Sequence, residues 1–135
     1  MDKLVVSLFI LFVLAACGNA SPGSIQGKWI LISYGSPTDQ IAAVPDVDAF
    51  IEFDSEGKMT GSVGCNGFGG AYEVDSDMIN FNPIESTLMF CEGPVGDQEL
   101  ATFATLQEIT TFEIDGNMLT ITSADGNSSI VLERK

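Results

Sequence analysis

The chain predicts a mainly β fold: a small antiparallel, β-barrel-like domain carrying one α-helix. Three observations predict it. Short segments alternating between apolar and polar residues recur along the chain, as in residues 49–53, 58–63 and 78–82. Turn formers separate such segments, including Asp115-Gly116-Asn117 and Asp125-Gly126-Asn127, which hold the Asp-Gly pair favoured by type I′ hairpins. Residues 96–109 alone show helical spacing, with Leu100, Phe103, Ala104 and Leu106 on one stripe. Strands this short and regularly spaced argue for a barrel or sandwich, and a length of 135 residues suits one domain.

The N-terminal segment stands apart from that pattern. Lys3 precedes an almost unbroken apolar run over residues 4–14. A bilayer-spanning helix needs about 20 residues, so this run has the length of a signal-peptide core instead. The string Leu14-Ala15-Ala16-Cys17 resembles the lipobox of bacterial lipoproteins. That resemblance implies a signal peptide over residues 1–16, cleaved before Cys17, and a lipid on Cys17 that makes the membrane a partner. Gly18 stands where an inner-membrane retention signal has aspartate, which points to the outer membrane, facing the periplasm. Residues 17–26 are small and polar and read as a flexible tether.

The domain is expected over residues 27–135. Residues 29–34 are apolar on both faces and suit a buried strand; residues 35–48, with two prolines, read as an ordered loop. In the strand of residues 49–53, Ile51 and Phe53 face inward; after the turn at 54–57, so do Met59 and Val63. A glycine-rich corner occupies residues 64–70, and the chain leaves it with Tyr72 and Val74 on one face. Ile79 and Phe81 point inward from the next strand, and residues 87–90 read as a short strand. Asp97 is placed to favour the helix N-terminus. Residues 111–114, 118–122 and 128–133 complete the set of strands. Trp29, Phe53, Phe81, Phe112 and Leu119 are large enough to fill a small barrel, which favours a packed interior over a ligand cavity.

Charge and composition narrow the chemistry. The net charge is −14 and the chain has no histidine. The missing histidine removes Ser-His-Asp and Cys-His catalysis and the usual zinc ligands. The acidity disfavours nucleic acid as a partner and disfavours docking of the domain face on anionic lipid. Asp46/Asp48 and Asp75/Asp77 lack the glycine and terminal glutamate of an EF-hand loop. The glycine stretch lacks the lysine of a phosphate loop. No catalytic residue, metal or cofactor is assigned. With Cys17 set aside, Cys65 and Cys91 remain; in an exported chain they read as a disulfide, the alternative being two separate buried thiols.

Gly27-Lys28-Trp29 opens a series of motifs. It continues with Gly64-Cys65-Asn66-Gly67-Phe68-Gly69-Gly70-Ala71-Tyr72, then Ser86-Thr87-Leu88-Met89-Phe90-Cys91, then Glu99 and Phe103-Ala104-Thr105-Leu106. This series resembles the META domain family, which includes HslJ-like bacterial lipoproteins. Its one departure is Phe68-Gly69-Gly70-Ala71-Tyr72 in place of Phe-Ser-Gly-x-Tyr. The resemblance implies a small barrel-like domain with one helix, no established catalytic activity, envelope placement and a link to stress or antibiotic tolerance. It also implies a structural signature at Trp29, Gly64, Asn66, Gly67, Phe68, Gly70, Tyr72, Thr87, Met89 and Glu99. The resulting expectation is a non-enzymatic envelope module that contacts another envelope protein through an exposed loop such as residues 35–48 or 64–70. Two alternatives stand beside it: a lipocalin-like binder of a small apolar ligand, and an inhibitor of a basic enzyme such as lysozyme, motivated by the acidity alone.

Overall fold

Alternation, closed on itself, makes the barrel. The computed structural model describes residues 23–135; the signal peptide expected over residues 1–16 and the lipid expected on Cys17 fall outside the described residues. Strands β1 (Gly27–Ser36), β2 (Asp39–Ala42), β3 (Phe50–Phe53), β4 (Lys58–Ser62) and β5 (Gly67–Asp75) come first. They are followed by β6 (Met78–Phe81), β7 (Glu85–Ser86), helix α1 (Gly93–Thr105), β8 (Ile109–Asp115), β9 (Met118–Thr122) and β10 (Ser129–Arg134). The antiparallel order β1-β3-β4-β5-β6-β8-β9-β10 returns to β1, giving a closed 8-strand barrel. β2 and β7 are short additions outside the closed path, paired to β1 and β5.

Strand β1 is apolar on both sides because it changes face. Its pairing with β10 matches Leu31 to Leu132 and then Ser33 to Val131, so Ile32 is an extra residue in a bulge. Without the slip, Tyr34 would point away from the interior that takes Trp29 and Leu31. With it, Trp29, Leu31 and Tyr34 are all buried and Ile32 turns outward. The first half of β1 pairs with β3 and the second half with β2, so one strand serves two neighbours on the same edge.

Side chains fill the interior. Trp29, Ile51, Met59, Leu119 and Leu132 have no solvent exposure, and Phe53 has 1%. Phe53 packs edge-on against Tyr72 at 5.0 Å and beside Phe81 at 6.4 Å between ring centroids. Phe112, expected among the fillers, is only half-buried, and Val74 is exposed although Tyr72 beside it on the same face is buried. Both line a groove at the barrel rim, where alternation continues past the end of the core.

The structure corrects several sequence expectations. The domain begins before residue 27, inside the expected tether. Ile25 is buried, and its carbonyl accepts from Trp29 Nε1 at 2.7 Å. Arg134 stacks over the Trp29 ring and donates to the carbonyls of Ser24 and Gln26. The loop at 35–48 contains β2. The glycine corner is confined to residues 63–66, because Gly67, Gly69 and Gly70 already pair with β4. Residues 87–90 form no strand; the short strand there is β7, two residues earlier. In the Asp115-Gly116-Asn117 and Asp125-Gly126-Asn127 turns, only the glycines have positive φ, so neither is type I′. The second turn is set by Asp125 instead, which accepts from Ser123 Oγ and from the backbone and side chain of Asn127. The Ser123 bond first, and the Asn127 bonds next, hold the Asp125 carboxyl below the ordinary aspartate range.

The helix differs most. It spans Gly93–Thr105, not 96–109, and starts after Glu92 with proline in its first turn, leaving Asp97 past the terminus it was expected to favour. Leu100 and Ala104 of the expected apolar stripe are exposed. The inward face is Gly96, Gln98, Glu99, Thr102 and Thr105. Phe103 still packs edge-on against Phe68 at 5.1 Å, and Leu106 is buried. The reason for the polar inward face is what the helix covers: backbone groups of the corner and of the 35–48 loop, which need hydrogen-bond partners once removed from water.

Candidate functional site

The corner at residues 63–66, the loop at 87–91 and the inward face of α1 meet at one end of the barrel. Asn66 is at the centre. Its backbone N–H donates to Glu99 Oε2 at 2.8 Å, and its Nδ2 donates to Glu99 Oε1 at 2.6 Å. Nδ2 also donates to the Met89 carbonyl at 3.1 Å. Its Oδ1 accepts from the Met89 N–H at 2.7 Å and from Thr87 Oγ1 at 2.8 Å. An asparagine side chain offers two donors and two acceptor lone pairs, and all four are used.

Glu99, nearly buried, is therefore held through both oxygens by a single residue. Gly64 makes room for it: a Cβ there would lie 2.7 Å from Glu99 Oε2 and 2.8 Å from its Cβ. Beside it, Gln98 is fully buried and bridges two loops, donating to the Val63 carbonyl at 2.6 Å and accepting from the Val44 N–H at 2.7 Å. The Cys65–Cys91 disulfide ties the corner to the end of the 87–91 loop, across a separation of 26 residues. The Thr87 N–H donates to the Gly67 carbonyl at 3.0 Å, which fixes the other end. Among the described residues, no buried side-chain nitrogen or oxygen lacks a partner.

The structure thus gathers Gly64, Asn66, Thr87, Met89, Glu99 and both cysteines into one clasp. Trp29 and Tyr72 lie elsewhere, in the barrel interior; the Tyr72 hydroxyl donates to the Asp54 carbonyl at 2.5 Å. Burial, and secondly the Asp54 carboxylate, push the Tyr72 hydroxyl above the ordinary tyrosine range. Phe68 connects the two regions through Phe103. Gly67 and Gly70 are strand residues opposite Ser62 and Met59. A Cβ on Gly67 would touch nothing within 4 Å, so packing there does not demand glycine.

The sequence reading missed Gln98, although a sign of it was present. Gln98, Thr102 and Thr105 recur at helical spacing, a polar stripe as regular as the apolar one. It also missed the product of the clasp. Leu88, Met89 and Phe90 project into solvent, with exposures of 95, 60 and 87%. Removing a Leu or Phe side chain from water is worth roughly 1.5–3 kcal/mol, yet these are held out by a backbone fastened on both sides. Among the described residues, no three aspartate, glutamate or cysteine side chains converge as metal ligands. The clasp's polar groups are turned toward one another, an arrangement suited to holding shape.

The family model of the META domain matches residues 23–135, the whole described region. The chain belongs to the META domain family. This META domain is similar to a protein of Burkholderia xenovorans solved by NMR, at 17% identity and a TM-score of 0.66, covering 100% of this chain and 99% of that one. A second NMR structure shares 17% identity with a TM-score of 0.62, over 80% of this chain and 88% of the other. A crystal structure of a DUF4847 family protein from Bacteroides vulgatus matches at 15% identity and a TM-score of 0.58, over 82% and 93% of the two chains. At such identities the likeness is one of fold. No curated protein matches the chain.

Proposed function

We propose that this META domain is a non-enzymatic contact module of the bacterial cell envelope, held at the outer membrane by lipid on Cys17 and supporting stress tolerance by binding another envelope protein. The observation that carries this reading is the filled barrel. Trp29, Ile51, Phe53 and Met59 occupy the volume that a lipocalin-like ligand would need. With the interior closed, function falls to the surface. The lipobox string Leu14-Ala15-Ala16-Cys17 supports the anchor, and the META family, not known for enzymatic activity, supports contact over turnover. The 64–70 segment is mostly strand, which leaves it little scope as the contact loop first expected.

The test is chemical crosslinking of the full chain in its native cells, followed by mass spectrometry. One recurrent envelope protein among the adducts is expected, together with reduced envelope resistance in a deletion strain. A co-purifying small ligand in native mass spectrometry, with no protein adduct, would overturn the reading. For the anchor, Cys17→Ser is expected to move the protein from the membrane fraction to the soluble one; continued membrane retention would refute lipidation.

A further inference from the structure

We propose that the loop of residues 87–91 is a docking finger for a protein whose complementary surface is an apolar pocket rimmed by lysine or arginine. This rests on the contact-module reading and names its surface and the chemistry of its partner. Single exposed apolar residues are ordinary, but Leu88, Met89 and Phe90 are consecutive and all exposed. Their backbone is preset. Asn66 binds Met89 at both N–H and carbonyl, Thr87 bonds Asn66 and Gly67, and the disulfide holds Cys91. A loop ordered before binding loses little conformational freedom on binding.

Charge selects the occupant. Exposed Glu85 and Glu92 stand on either side of the apolar triplet, on a chain of net charge −14. An anionic lipid surface is repelled by that charge. A second copy of this chain brings the same carboxylates to the same place. A protein pocket with a cationic rim answers both the apolar centre and the acidic flanks, and the opposite charges speed encounter.

The experiment places a photoreactive phenylalanine analogue at position 90 of the full chain in its native cells, with control probes at Val74 and Ile41, also exposed. The expected result is a protein adduct from position 90 whose crosslinked peptide lies in an apolar pocket bordered by Lys or Arg. Leu88→Ser is expected to lower its yield at least about tenfold, as for truncation of an interface anchor. The pair Glu85→Lys and Glu92→Lys is expected to weaken it most at low salt. All three side chains are exposed, so thermal melts of these variants should match the parent. Lipid adducts or self-adducts at position 90 would overturn the proposal. Protein adducts from Val74 or Ile41 alone would overturn it while leaving the contact-module reading intact. No protein adduct from any of the three positions would overturn the docking finger, and the contact-module reading falls with it only if chemical crosslinking of the full chain also gives none.

Discussion

The barrel interior and the clasp at its end are stabilised by different physics. In the interior, Trp29, Ile51, Phe53 and Met59 pack by volume and by exclusion of water, with few directional constraints. In the clasp, Asn66, Gln98 and Glu99 are equally removed from solvent but hold one another and the backbone by hydrogen bonds, reinforced by a covalent bridge. Apolar packing makes a core; directional bonds make a particular loop shape. The difference teaches that the clasp's buried polar groups preserve the conformation of residues 87–91, whose side chains contribute little to the core.

That contrast can be broken at four points. The largest effect belongs to the interior. Trp29→Ala is expected to cost roughly 3–5 kcal/mol by urea denaturation, since it empties the centre and frees the Ile25 carbonyl. A loss below about 1 kcal/mol would move the core elsewhere. Next, removing the bridge with Cys65→Ser and Cys91→Ser is expected to cost roughly 3.5 kcal/mol on the chain-entropy account. Amide exchange should then rise first in residues 87–92 while strands β1 and β10 stay protected. Uniform acceleration would mean that the two regions open as one.

Glu99→Gln sharpens the contrast further. It turns one acceptor facing Asn66 into a donor, at an expected cost of roughly 1.5–3 kcal/mol. The Asn66 and Met89 amides should lose protection more than those of β9. The smallest effect is Tyr72→Phe, about 1 kcal/mol for the lost bond to Asp54. It carries a pH signature as well. The ordinary tyrosine value is 10.0 and the folded value is higher. Above that ordinary value the unfolded chain releases a proton that the folded one keeps, so stability present below it is lost as pH rises toward and through the folded value. In the variant this alkaline decline should be shallower; an unchanged decline would assign it to other groups.

Much of the fold was legible because strand alternation and turn chemistry are local. Ile51, Phe53, Met59, Ile79 and Phe81 could be placed inward from period two alone, and they are inward. The helix was legible in kind but not in orientation. Both an apolar and a polar stripe repeat along it, and choosing between them requires knowing what it covers. The signature residues could be named from the motif, yet nothing local reveals that Asn66 and Glu99 bind each other across 33 positions. Residues 87–90 read as a short strand for the same reason: an apolar run suggests pairing until its backbone is seen to be fastened elsewhere.

By itself, then, the amino-acid order determined an antiparallel domain of short strands, barrel or sandwich, with one helix, and much of its hydrophobic interior. Those follow from residue type and short-range spacing. Only the tertiary structure decided the bulge that turns Tyr34 inward, the polar face of α1 and the outward Leu88-Met89-Phe90 loop. Each depends on a backbone group's need for a partner distant in the chain, which no local pattern encodes.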